Sequence, residues 1–183
     1  MGLKKTVLLV ASLNFGYFAV ELSFSQVFNS LSLLSDSLDF LEDSAINLLI
    51  FLAFAWSALA RKRLSYLLAL ILLIPGAVFI AEAISKFNEP IVPNGFGMSV
   101  IGLGALFVNV FCAFILTKHK SEEGGLAKAA YLSARNDAVA NILIIVAGGI
   151  TAVWVSQVPD LVIGIIIFAM NFDSAMQVLK SQK

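Results

Sequence analysis

Hydrophobic positions along this chain fall in long blocks, and the blocks have membrane dimensions. A spanning helix needs about 20 mostly apolar residues. Six segments meet that length: Thr6–Phe28, Leu31–Ala60, Leu64–Ile84, Met98–Thr117, Leu126–Val155 and Leu161–Leu179. Breakers separate them. These are a short turn at Asn29–Ser30, the basic run Arg61-Lys62-Arg63, and the loop Lys86–Gly97 with its prolines, glycines and asparagines. A polar loop, Lys118–Gly125, and a tight turn, Ser156–Asp160, complete the set. The start, MGLKKTVLLV, is positive and then apolar, as in a signal peptide. The apolar run continues to Phe28 without a small-residue cleavage site, so a retained first span is expected.

One stretch breaks the apolar pattern inside a span. Ser35–Asp43 carries four carboxylates, Asp36, Asp39, Glu42 and Asp43. At about 100° per residue, Asp36, Asp39 and Asp43 share one narrow helical face, with Glu42 beside it. An ionised group at membrane depth costs at least about 2.5–3.5 kcal/mol. Several on one face require water, protons or a bound cation to offset them.

The fifth segment holds a second polar stripe. Ser133, Asp137 and Asn141 recur at four-residue spacing, with Asn136 at their flank. Two helices whose intramembrane carboxylates face each other make an oxygen-ligand cation site, a donor set that suits divalent metals over Cu(I). Arg135 points away from the Asp137 face and is expected to neutralise an acid on another helix: Glu21, Glu42 or Asp173. On the first segment, Asn14 and Glu21 lie seven apart on one face, and Ser25 extends the line. Glu21 reads equally as a functional acid and as a polar packing group.

The other polar residues have blander expectations. Glu82 reaches the outer interface, Asp160 caps the sixth helix at its turn, and His119 is solvated in a loop. Cys112 fills apolar space, while Gly102–Gly104 and Gly148-Gly149 mark close helix packing.

Composition agrees with the pattern. The chain of 183 residues is 60% hydrophobic and 13% charged, with mean hydropathy +0.94. Soluble domains carry roughly 25% charged residues. An all-α integral membrane protein is expected: one six-helix domain over residues 1–183, without a soluble C-terminal domain. Scattered Lys and Arg exclude a nucleic-acid surface. A single cysteine excludes an internal disulfide or a Cys-rich metal site. No nucleophile–base set, glycine-rich phosphate loop or HExxH run is present, so no enzyme and no cofactor is expected. With the N-terminus inside, most Lys and Arg face the cytoplasm and only Lys86 falls outside. Both termini are therefore expected to be cytoplasmic.

The run Ser30-Leu-Ser-Leu-Leu-Ser-Asp36-Ser-Leu-Asp39-Phe-Leu-Glu-Asp43 resembles the second-helix signature of the cation diffusion facilitators. Asn14 and Glu21 fall where that family's first helix is often polar. Asp137 falls where its fifth helix completes the site, and Pro159-Asp160 with Gly164 is similar to the start of its sixth. The resemblance implies a dimeric, proton-driven exporter of divalent metal, most often zinc, in a bacterial inner membrane. It implies metal ligands Asp39 and Asp43 from the second helix, and Ser133 and Asp137 from the fifth. Ser133 stands where His or Asp is usual and Asp39 where His is usual, so the fourth ligand is Ser133, Asn136, Asn141 or water. The chain resembles the short branch that lacks the cytoplasmic metal-binding domain. The metal is expected to be Zn²⁺, with Cd²⁺, Co²⁺, Fe²⁺ and Mn²⁺ as alternatives. Two other readings stand beside it: a proton-coupled carrier of another cation, and a non-transporting scaffold whose acids pair with a partner helix.

Overall fold

A computed structural model describes residues 2–53, 57, 76–88, 90–119 and 126–181. The chain forms helices α1 (Leu3–Val27), α2 (Leu31–Ala53), α3 (76–88), α4 (Gly95–Thr117), α5 (Leu126–Val153) and α6 (Val158–Ser181). No strand occurs among the described residues. Among the described residues, three stretches, Leu3–Val27, Gly95–Thr117 and Ala130–Val153, are long and apolar enough to cross a membrane, and Val158–Met170 is a shorter apolar helix. Helix α2 carries four carboxylates, and it packs against α1, α5 and α6 and touches α4. The protein is an integral membrane helical bundle with α2 inside it.

The boundaries differ from the sequence expectation where caps and breakers act. Helix α4 starts at Gly95 rather than Met98, because the Asn94 side chain accepts the Gly97 N–H at 2.9 Å and caps it. Helix α6 starts at Val158, so Pro159 and Asp160 lie in its first turn and not in a loop. Proline is tolerated there because the first-turn N–H groups have no helical partner to lose. Helix α3 runs past Ile84 to residue 88 and takes in Lys86, since no breaker intervenes before Pro90. The expected starts of the third helix and end of the second, 64–75 and 58–60, lie outside the described residues, as does the basic run 61–63.

Apolar packing brackets the polar centre at both ends. Val7, Val10, Ile50, Cys112, Leu116, Ala130 and Ala134 close one end. Leu33, Met98, Ala140, Ile144, Ala147 and Ile167 close the other, continued by Leu31, Leu34, Phe79 and Leu161. Large apolar side chains such as Phe15, Phe107, Phe114 and Val153 point outward, as a lipid-facing surface requires. Between spans in lipid, association relies on close packing more than on the hydrophobic effect. Helices α4 and α5 meet at Gly95 and Gly148: a Cβ on Gly148 would sit 2.6 Å from the Gly95 carbonyl oxygen and 2.5 Å from Ser99 Oγ. Gly149 faces open space, so of that pair only Gly148 is a contact.

Two polar residues sit where the sequence did not place them. Asp160 is buried and caps α2, not α6. Its carboxylate accepts from the Leu31 N–H at 2.7 Å, the Ser32 N–H at 2.9 Å and the hydroxyls of Ser30 and Ser32, each at 2.7 Å. Ser30 adds its own cap to the Leu33 N–H at 3.1 Å. Lys86 pairs with Asp160 at 3.8 Å and donates to the Asn29 carbonyl, where the chain turns through a positive φ of 53°. His119 is buried rather than solvated, because the turn after α4 folds back and brings Nε2 to 3.2 Å from Thr6 Oγ1.

Two substitutions test this frame by thermal unfolding in detergent. Gly148→Leu forces α4 from α5 and is expected to cost at least about 1–3 kcal/mol, the usual overpacking range. Asp160→Ala removes the α2 cap and is expected to cost about 0.5–2 kcal/mol, with Ser32→Ala costing less. An unchanged midpoint in either principal variant would refute the packing or cap assigned to it.

Candidate functional site

The site is built from three helices whose polar positions recur every three or four residues. Asp36 and Asp43 are seven residues apart on α2 and both point inward, with 0% and 6% of their surface exposed. Asp39, between them, and Glu42, one step off the face, are only partly buried. The expected stripe is therefore real, but it is inward at Asp36 and Asp43 and partly exposed at Asp39.

Helix α5 runs antiparallel to α2 and meets it with the stripe that its spacing predicts. Ser133 Oγ donates to Asp43 Oδ1 at 2.8 Å. Asp137, partly exposed, lies within hydrogen-bonding reach of Asp43 and within electrostatic range of Asp39. Four residues on, Asn141 Nδ2 donates to Asp36 Oδ2 at 2.5 Å. Helix α1 meets the other flank. Asn14 Nδ2 reaches Asp43 Oδ2 at 3.5 Å, and Glu21, one heptad along, faces Asp36.

The polar core thus has two levels. Asp43, Asp137, Ser133 and Asn14 form one. Asp36, Glu21 and Asn141 form the other, and Asn109 of α4 extends it by donating to Asn141 Oδ1 at 2.9 Å. Both amide ends of Asn141 are engaged, so its oxygen is turned from the Asp43 level. Asn136 is exposed and accepts from Arg135 Nη2 at 3.4 Å. Of the expected fourth-ligand residues, Ser133 is directed at Asp43, while Asn141 is directed at Asp36. Arg135 is itself exposed and makes no ion pair with Glu21 or Glu42; the Asp173 side chain lies outside the described residues.

The chemistry open to such a centre follows from its atoms. Asp43 and Asp137 are both acceptors when ionised, so they can lie together only around a proton or a cation. All groups converging on them are oxygen or amide donors, apart from Cys112. No three Asp, Glu, His or Cys side chains among the described residues converge closely enough to chelate an ion in this arrangement. Asp43, Ser133 and Asp137 are together; Asp39 stands at the rim.

Sequence reasoning missed α4. Cys112 Sγ lies 3.9 Å from Asn14 Oδ1, so the thiol belongs to the network around Asp43 as well as to the apolar cluster. Asn109 and Cys112, three apart on the most apolar helix, were the available signal. An asparagine at membrane depth needs partners, and here it has one.

The chain is similar to zinc transporter ZitB of Escherichia coli (strain K12), 28% identical over 180 residues covering 90% of this chain and 56% of the relative. It is equally similar to zinc transporter ZitB of Shigella flexneri, with the same identity and coverage. The chain thus spans little more than half the length of these relatives. Residues 7–182 match the cation efflux transmembrane domain, and that match, over nearly the whole chain, places the protein in the cation efflux (cation diffusion facilitator) family.

Proposed function

We propose that this chain is the membrane core of a divalent-metal exporter, zinc first among its ions, that exchanges metal for protons by alternating access. The observation that carries the reading is the facing of Asp43 and Asp137 across α2 and α5, with Ser133 on Asp43, inside a lipid-facing bundle. The proposed ligands are Asp39 and Asp43 of α2 with Ser133 and Asp137 of α5. Ser133 here donates to Asp43, so as a ligand it must turn a lone pair toward the metal. Asp39 at the rim closes over the ion as the helices move. The named activity of the ZitB relatives supports zinc. Oxygen ligands also suit harder ions, so Cd²⁺, Co²⁺, Fe²⁺ and Mn²⁺ belong in any test.

The coupling has a simple physical basis. A carboxylate binds metal only when deprotonated, so metal and protons compete for the same oxygens. In a low-dielectric site the empty carboxylates take protons in place of the ion. Metal entering from one side releases protons there, and protons from the other side displace the metal. The Lys and Arg distribution supports cytoplasmic termini, and the family supports a homodimer formed through the membrane helices in a bacterial inner membrane.

Purified protein in liposomes tests this reading. Metal flux with opposing proton movement is expected, and Asp43→Asn and Asp137→Asn should abolish both. Flux of no metal, or flux indifferent to both changes, would defeat the proposal. Ser133→Ala keeps the carboxylates but loses a group that orients one. Zinc titration of that variant should show affinity weakened by roughly 10–100-fold, the usual cost of removing a partner of a ligand. Apparent affinity in the wild type should fall as pH is lowered, because protonation removes ligands; an affinity that rises or stays level on acidification would contradict a carboxylate site.

A further inference from the structure

The second polar level has an imbalance that the metal site does not use. Glu21 is 0% exposed, and neither of its carboxylate oxygens meets a hydrogen-bond donor. Asp36 is also 0% exposed; Asn141 serves its Oδ2, while its Oδ1 meets no donor. Yet Asn14 reaches Asp43 and Ser44 reaches Ala11, so α1 and α2 run antiparallel and set Glu21 and Asp36, each seven residues from the first contact, opposite each other. Two acceptors so placed, sealed from water, lack the hydrogen that would join them.

Among the described residues, no basic side chain supplies the missing charge. Arg135 is exposed, and Lys86 is engaged with Asp160 and Asn29. The titratable groups whose charges reach the pair are Tyr17 on α1, Asp39 on α2 and Asp137 on α5. The Tyr17 hydroxyl is committed to the Ile101 carbonyl at 2.6 Å, and the other two are acids. From α4 the nearest contribution is Asn109, acting through Asn141. A metal ion fits poorly. Zinc takes about four ligands at about 2.0–2.2 Å from each oxygen, whereas this level offers two carboxylates and an amide whose oxygen is turned to Asn109.

We propose that Glu21 and Asp36 hold one proton between them, forming a proton-binding site distinct from the metal ligands and joining α1 to α2 above Asp43. The Asn109–Asn141 chain orients Asp36 so that its free oxygen meets Glu21, and so links α4 and α5 to the same proton. The reading rests on the transport proposal only for its place in a cycle: a proton here is not displaced by metal binding at Asp43 and Asp137, and it is carried separately.

Infrared spectroscopy of the full chain in liposomes at neutral pH counts the protons. The readout is the C=O stretch of protonated carboxyl groups, recognised by its shift in D₂O. The double variant Glu21→Gln/Asp36→Asn should lose one acid equivalent relative to wild type. Loss of none means that both groups are ionised, and loss of two means that each carries its own proton; either result overturns the proposal. If the double variant does not fold, Glu21→Gln alone decides, because its amide supplies the donor that the proton supplied: one equivalent lost supports the site, none refutes it. Thermal unfolding gives an independent check. Glu21→Gln should melt near wild type and Glu21→Ala well below it, and equal losses in the two would refute a donor role. Zinc flux measured in the same wild-type vesicles separates the two readings. One equivalent lost without flux upholds the proton site and sinks the exporter, whereas flux with no band lost sinks the proton site alone.

Discussion

A carboxylate buried without a cation must find a proton, a donor or an ion, and most of this bundle is arranged around that demand. Helix α2 brings Asp36 and Asp43 into a space where, among the described residues, no lysine or arginine lies beside them. Their partners come from every helix around α2 that carries polar side chains there: Asn14 and Glu21 from α1, Ser133, Asp137 and Asn141 from α5, and Asn109 of α4 at one remove. Replacing these partners by apolar residues would leave bare acceptors in a low-dielectric interior, where each costs more than in water. A site that lacks a permanent counter-charge is also the site that can accept a transient one.

The rest of the fold holds these groups at contact distance. Asp160 at the head of α6 caps α2 through two backbone N–H groups, and Gly164 lets the α6 backbone approach that same turn: its Cβ would lie 2.9 Å from the Leu31 carbonyl carbon. Glycine contacts likewise set α4 against α5, which brings Asn109 to Asn141. The apolar clusters at both ends limit access of water to the acids. Position of the site thus depends on helix caps and small residues far from any ligand.

Much of this was legible in the residues. The six apolar blocks set the helix count, and the i, i+3, i+4 and i+7 spacings put Asp36 with Asp43, Ser133 with Asp137 and Asn141, and Asn14 with Glu21 on common faces. Periodicity reports the face of one helix, because the geometry of a helix is local and repeats. The run Asp36 to Asp43 also carried the family resemblance that the comparison supports.

Beyond the second-to-fifth-helix pairing that the family resemblance implied, contacts between helices were not legible, because they depend on register and rotation that no single segment encodes. Asp160 was read as capping its own helix and instead caps α2; His119 was read as solvated and is buried against Thr6. Each error follows from assigning a polar residue to its own segment. The sequence by itself determined that carboxylates lie within the membrane and which helical faces carry them. Only the tertiary structure decided that they divide into two levels, with Asp36 beside Glu21 and apart from Asp43 and Asp137, since a buried charge is matched by whatever group the packing brings next to it.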